Sequence, residues 1–295
     1  SRVVHIAKDI LSVLIFPIGI ARVLHRIVGY FIMPAAFFTR MYALIVFITK
    51  IPVMGTYAIP IEASFRKRLL LRLENVQNTW NVQRISIHVD GRVVDAAIVA
   101  KKDQACQNNR WTLLSGGETS SFSDLSDLDL VDKLKSNAVY YNYPGVMGST
   151  GSPSRSGIAT TSRVMLQFLE ERLGAKEIIW YGHGFGGGAQ EVFPKHTKKD
   201  GVRYCLVKDS TFSCLSKVFN LEARVLVQVF GWNMSLLASV NGTPQVIIPR
   251  SNISKTLRPD LQISKEASLE KVSQESAITK ILSIPVYITS LPSEQ

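Results

Sequence analysis

Residues 84–100, RISIHVDGRVVDAAIVA, alternate apolar and polar positions on either side of Asp90-Gly91. Period-two alternation interrupted by an Asp-Gly pair predicts a β-hairpin with one buried face. RWTLLSGGE (110–118) reads as a short buried strand that ends in two glycines. Between Phe122 and Lys135 the pattern changes: Leu125, Leu128, Val131 and Leu134 recur every third residue, which predicts a helix. NAVYYNYPGVMGSTGSPS (137–154) is a strand running into a Gly/Ser/Pro loop. GIATTSRVMLQFLEERLG (157–174) has helical spacing at Val164, Phe168 and Leu169 and a stop at Gly174. EIIWYGHGFGGGAQ (177–190) predicts strand, glycine-packed turn and helix, and VRYCLVKDSTFS (202–213) a strand ending near Asp209. Helical pattern resumes through Val240, followed by a looser region at 241–270 with Pro244, Pro249 and Pro259. IPVYIT (284–289) reads as the last strand. Strands alternating with helices predict an α/β fold, a mostly parallel sheet covered on both faces and opened by an antiparallel hairpin.

The first 60 residues have a different texture. ILSVLIFPIGIARVLHRIVGYFIMPAAFFTRMYALIVFITKIPVMGTYAIP is apolar nearly throughout, interrupted by Arg22, His25, Arg26, Arg40 and Lys50. No uninterrupted apolar run reaches the roughly 20 residues of a clean span. The best window, Ile27 to Thr49, holds Arg40 and the kink of Pro34. An arginine near mid-bilayer costs about 3 kcal/mol on insertion scales, which the surrounding apolar side chains offset. Flanking basic residues, including FRKRLLLR at 65–72, suit anionic headgroups. A helical hairpin or an in-plane anchor fits as well as a span, and a buried helical subdomain is the competing arrangement. No A-x-A-like site marks a signal peptide. The expectation is membrane association through residues 10–60, with a hydrophobic helical region at 1–75 ahead of a second domain at 76–295.

Charge and cysteines narrow the classes. The 295 residues carry 34 Lys+Arg against 23 Asp+Glu, a formal charge of +11. Such a balance suits nucleic acid, an anionic membrane face or plain solubility. No interleaved aromatics or helix-turn-helix pattern accompanies it, so nucleic acid is not an expected partner. Cys106, Cys205 and Cys214 are odd in number and lack CxxC spacing. That argues against a disulfide framework and a zinc site, and for free thiols in a reduced compartment.

The turn at 182–187 admits three parses. Gly182, Gly184 and Gly187 spell G-x-G-x-x-G between a strand and a helix, with Asp209 after the next strand, which is a dinucleotide-binding arrangement. That fingerprint belongs to a first βαβ unit, whereas here about four strands precede it. As a nucleophile elbow, G-x-S-x-G, the flanking positions are Gly182 and Gly186 and the variable ones His183 and Phe185, with Gly184 in the nucleophile's place. The backbone N–H groups of Gly116 and Gly117, after the strand at 110–115, and of Phe185 would then form an oxyanion hole. In the third parse the glycines only permit a tight turn and close packing, which is what an elbow without a nucleophile amounts to.

NYPGVMGSTGSPS followed by GAKEIIWYGHGFGGG resembles the N-Y-R-G-x-G-x-S-x-G loop and Y-G-H-S-x-G-G elbow of α/β-hydrolases. More closely the chain resembles the chlamydial CHLPS family, whose members carry a hydrophobic N-terminal region ahead of a hydrolase-like domain. KDSTFSCLS, after the next strand, also suits that group. The resemblance covers roughly residues 80–240 and then 284–289. It implies an α/β-hydrolase-like sheet, incomplete at the C-terminus after the strand at 284–289. For a chlamydial protein it implies a bacterial or host-derived membrane.

Two gaps open when the family's catalytic residues are carried over. Gly184 has no side chain with which to attack a carbonyl. The acid and histidine of a Ser–Asp–His site follow the last strands, but the chain ends after IPVYITSLPSEQ and has no histidine beyond His196. Asp209 is the candidate displaced acid. His183 lies inside the elbow, His196 in a basic loop that reads as solvated, His5 and His25 in the apolar region, and His88 on the hairpin. Ser115, Ser149, Ser152, Cys205 and Cys214 lack an adjacent base or a charge that would activate them. The expected function is therefore that of a membrane-associated, hydrolase-like protein without an intact triad. It would need no cofactor or metal, and would bind a small apolar or ester ligand or play a structural part. An active ester or lipid hydrolase with other catalytic residues, and a dinucleotide-binding protein using Gly182, Gly184, Gly187 and Asp209, are the alternatives.

Overall fold

The computed structural model describes residues 18–48, 79–89, 91–102, 109–118, 120, 127–212, 214–217, 221–234 and 243–248. Seven strands are present: β1 Trp80–Val89, β2 Arg92–Lys101, β3 Arg110–Ser115, β4 Asn137–Tyr141, β5 Glu177–His183, β6 Arg203–Asp209 and β7 Gln245–Ile248. They form one sheet in the order β1-β2-β4-β3-β5-β6-β7. Val89 pairs with Arg92 in the antiparallel β1–β2 hairpin, and Gly91 takes the positive φ (72°) that a tight turn requires. β2 and β4 are also antiparallel, and every pair from β4 to β7 is parallel.

Side chains alternate faces along each strand. Trp111, Leu113, Ile178, Trp180 and Leu206 enter one buried cluster, and Leu114, Ile179, Tyr181, Cys205 and Val207 the other. The first is covered by helix α4 (Arg155–Gln167) through Ile158, Met165 and Leu166. The second is covered by α3 (Leu128–Lys133) through Leu128, Leu130 and Val131. The sheet thus has helices on both faces.

Two helices precede the sheet, α1 (Ile18–Ile32) and α2 (Pro34–Ile48). Pro34 stands at the first position of α2, where it lacks nothing the helix needs but cannot continue α1. The two meet at a bend of 102°. Ile32, Met33, Ala35 and Ala36 at the corner are buried in the same cluster as the sheet residues Trp180 and Leu206. Among the described residues no single helix is long and apolar enough to cross a membrane, and this bent pair passes such a test only by length and composition.

Two features differ from the sequence-based expectation. The strand beside β6 is Gln245–Ile248, inside the region read as loose. It is four residues long, between Pro244 and Pro249, so it gives almost no alternation to read. The strand expected at 284–289 lies outside the described residues. The helix after the glycine turn is brief: α5 (Gly186–Ala189) passes at once into a 3-10 segment, Gln190–Lys195, that contains Pro194.

Candidate functional site

β5 ends at His183 and the chain turns sharply at Gly184, whose φ of +53° is a left-handed conformation costly for other residues. Gly184 N–H donates to Asp209 O at 2.9 Å, which ties the turn to the end of β6. The neighbouring glycines are fixed by crowding. A Cβ on Gly182 would lie 2.6 Å from Gly186 O, and one on Gly186 or Gly187 would collide with Ser115 O or the Thr211 side chain. Gly184 is different, since a Cβ there would meet only Glu118 Oε2, at 3.9 Å. The backbone is therefore a strand-to-helix elbow, and its apex opens beside a carboxylate.

The loop after β3 faces this apex. Gly116 O accepts from Tyr143 OH at 3.1 Å, and Ser120 N–H donates to Gly117 O at 3.1 Å. Phe185 is buried against Tyr143, ring centroids 5.9 Å apart. Ser115 is 1% exposed, accepts from Trp180 Nε1 at 2.7 Å and lies 2.8 Å from Tyr141 OH, which also meets Ser162 Oγ. Burial pushes the Tyr141 phenol up to about 12. This neutral network holds Ser115 as a structural hydroxyl.

The loop after β4 is pinned by Asp95. The buried carboxylate takes a fork from Arg84 (2.7 and 3.0 Å), Asn142 Nδ2 at 3.0 Å and Gly148 N–H at 2.9 Å. Ser149 Oγ accepts from Asp95 N–H and donates to Asn142 O, so this serine too is structural.

The α1–α2 corner closes over both loops. Ala35 N–H donates to Glu118 O at 3.1 Å, Met147 N–H to Thr39 Oγ1 at 3.1 Å, and Arg40 reaches Gly151 O at 3.4 Å. The corner residues Met33 and Ala36 share a buried cluster with Tyr143, Val146 and Phe185. The sequence pattern left a buried helical subdomain open for this segment but could not separate it from a membrane helix, because the same residues satisfy both.

A sheet ordered β1-β2-β4-β3-β5-β6-β7 with a glycine elbow after β5 decides the architecture. A family model described as Chlamydia CHLPS protein (DUF818) matches residues 1–280. The chain belongs to this family. Among solved structures, this CHLPS-family chain is similar to the esterase Pf2001 of Pyrococcus furiosus, at 13% identity over 59% of this chain and 71% of that one, TM-score 0.44. It is similar to an α/β-hydrolase of Vibrio vulnificus, at 16% identity over 57% of this chain and 63% of that one, TM-score 0.43. A structure from Agrobacterium vitis S4 described as a hydrolase matches at 20% identity, TM-score 0.35, over 45% of this chain, which spans about half (52%) of that one's length. The fold itself is a mixed, mostly parallel sheet with helices on both faces. No curated protein matches the chain.

The remaining candidates are dispersed. Asp209 ends β6 on the sheet face opposite the elbow helix, and its carboxylate accepts from Tyr181 OH and from Ser210 Oγ at 2.9 Å. Burial and then the Asp209 charge push the Tyr181 phenol up. That carboxylate is engaged within the protein, and the space beside Gly182 and Gly187 is filled by protein. His183 is exposed beside Gly117. His25 rings with Trp232 and Phe230, and His88 is exposed on β1. His196 corrects the reading of a solvated loop: its side chain is 5% exposed, 2.7 Å from Glu170 Oε1, and packed on Phe193 and Tyr204. Cys205 is buried, which pushes its thiol up to about 12, and Cys214 Sγ donates to Asn233 Oδ1 at 2.7 Å. Among the described residues no group of three His, Cys, Asp or Glu forms a metal site. Glu118 is the site residue that sequence reasoning missed, because it becomes relevant only when β3 and β5 pair and bring Ser115 beside Gly182.

Proposed function

We propose that this chain is a membrane-associated α/β-hydrolase-fold protein that binds at its elbow and does not cleave esters through a serine triad. The observation that carries this reading is the pair Gly184 and Glu118. The elbow presents no nucleophile, and outside its own chain neighbours a Glu118 carboxylate oxygen comes within 4 Å of a Cβ at the apex. Acyl transfer requires donors aimed at a developing oxyanion, and a carboxylate at that point opposes the charge instead. Of the described histidines only His183 stands at the turn, exposed beside Gly117 in the variable position before Gly184. His25 and His196 are held in aromatic and carboxylate contacts away from the turn, and His88 lies on the outer strand. A small ester-like molecule at the elbow would meet Gly184 and the exposed Glu118 and His183, with no side chain at the apex to attack it.

The test is hydrolysis of a short-chain p-nitrophenyl ester by the full chain, with and without phospholipid vesicles. Turnover stays at the buffer rate under this reading. A saturable rate that survives mutation of surface residues but is lost on heating would replace it with an esterase whose catalytic residues lie elsewhere in the chain.

A further inference from the structure

The two helices that cover the elbow are amphipathic in an unusual sense, with apolar side chains on the outside. In α1 the exposed residues Ile20, Val23, Leu24, Ile27 and Phe31 recur at helical spacing and form one stripe. In α2 Phe37, Phe38, Met41 and Leu44 do the same. Phe31 is 69% and Phe38 62% exposed. Contiguous exposed apolar surface of this kind marks an interaction site. Arg22, Arg26 and Arg40 are exposed on the same two helices, and no Asp or Glu occurs between Asp9 and Glu62. The two helices therefore combine exposed apolar stripes with exposed positive charge and no acid, which matches an anionic lipid leaflet.

Geometry chooses between lying on and crossing such a leaflet. Each helix has 15 residues, about 22 Å at 1.5 Å per residue, against a hydrocarbon core of about 30 Å. They cannot add their lengths, because they meet at 102° and the corner between them is buried in the protein core. Straightening would expose Met33 and Ala36 and break the Ala35–Glu118 and Thr39–Met147 hydrogen bonds.

We infer that α1 and α2 dock in the plane of an anionic lipid leaflet through this outer stripe, while their inner corner holds the loops around Gly184. The inference rests on the membrane-association reading and specifies its surface, its orientation and its lipid. A leaflet-bound chain then carries its elbow directly beneath the lipid interface, so the ligand class it meets is lipid-borne and apolar.

The full chain is sedimented with vesicles of phosphatidylcholine alone and of phosphatidylcholine with about a third phosphatidylglycerol, and bound material is washed with alkaline carbonate. The variants are Phe31→Glu/Phe38→Glu and Arg22→Gln/Arg26→Gln/Arg40→Gln, with folding checked by circular dichroism. Binding is expected only to the anionic vesicles, with release by carbonate. It should be lost in the phenylalanine variant and weakened in the arginine variant by about fivefold for each charge removed. Retention after carbonate, unaffected by Phe31→Glu/Phe38→Glu, would overturn in-plane docking while leaving membrane association in place. No binding to either vesicle, with a dimer that the phenylalanine variant dissociates, would overturn both and assign the face to a second copy of the chain.

Discussion

The Glu118 carboxylate lies 3.9 Å from the point at which a side chain on Gly184 would begin. Outside its two chain neighbours no other atom of the described residues comes within 4 Å of that point, whereas Gly182, Gly186 and Gly187 are each blocked by protein. The glycine at the apex is thus the one that packing does not require, and substitutions in the turn should divide accordingly.

Gly184→Ser is expected to fold, with a loss of about 1 kcal/mol for placing a side chain at positive φ. Gly186→Ala drives a methyl group into Ser115 O and should cost about 3 kcal/mol or more. Urea denaturation of the two variants beside the native chain measures the contrast. Equal losses would show that the elbow is not packed as described.

The Asp95 knot should behave as a structural keystone of the β4 loop. Asp95→Ala removes the acceptor for Arg84, Asn142 and the Gly148 amide, and a loss of roughly 3 kcal/mol is expected from charged hydrogen bonds. Hydrogen exchange should rise at 142–149 before it rises in β5.

Lys208 gives a pH signature. It is buried on β6 within 3.3 Å of Gln245 Oε1, and burial lowers its ammonium to about 8 from the ordinary 10.5. Between these values the unfolded chain binds the proton and the folded chain does not, so this group adds stability as pH rises and withdraws it as pH falls through about 8. Lys208→Met should be more stable than the native chain near neutrality, and the difference should shrink toward about pH 9.5. A difference independent of pH would mean that the lysine is solvated.

The thiols should separate by reactivity. Cys205, buried in the sheet with its thiol pushed up to about 12, should resist iodoacetamide in the native state, while the half-buried Cys214 is modified first. Peptide mass spectrometry over a time course reads the order.

Much of this architecture was legible in local pattern. Asp90-Gly91 and alternation announced the hairpin, short apolar runs ending in glycine announced β3 and β5, and the glycine turn announced the elbow. What escaped was non-local. β7 is too short to show a period, and His196 looks solvated until Glu170 and Tyr204 are brought to it by the α4–β6 packing. The apolar stretch at 18–48 reads as one membrane-seeking segment, yet its corner is core and its outer stripes are surface. Only the fold separates the residues that seal the elbow from those exposed on the outer side.

The central claim is that the elbow binds without serine-triad chemistry. Fluorophosphonate labelling of the native chain and of Gly184→Ser, beside an unrelated serine esterase as positive control, tests it most directly. The native chain should not be labelled, since its elbow lacks the hydroxyl, and labelling of the variant reads whether His183 can activate one. A labelled serine in the native chain, mapped by mass spectrometry, would contradict the account.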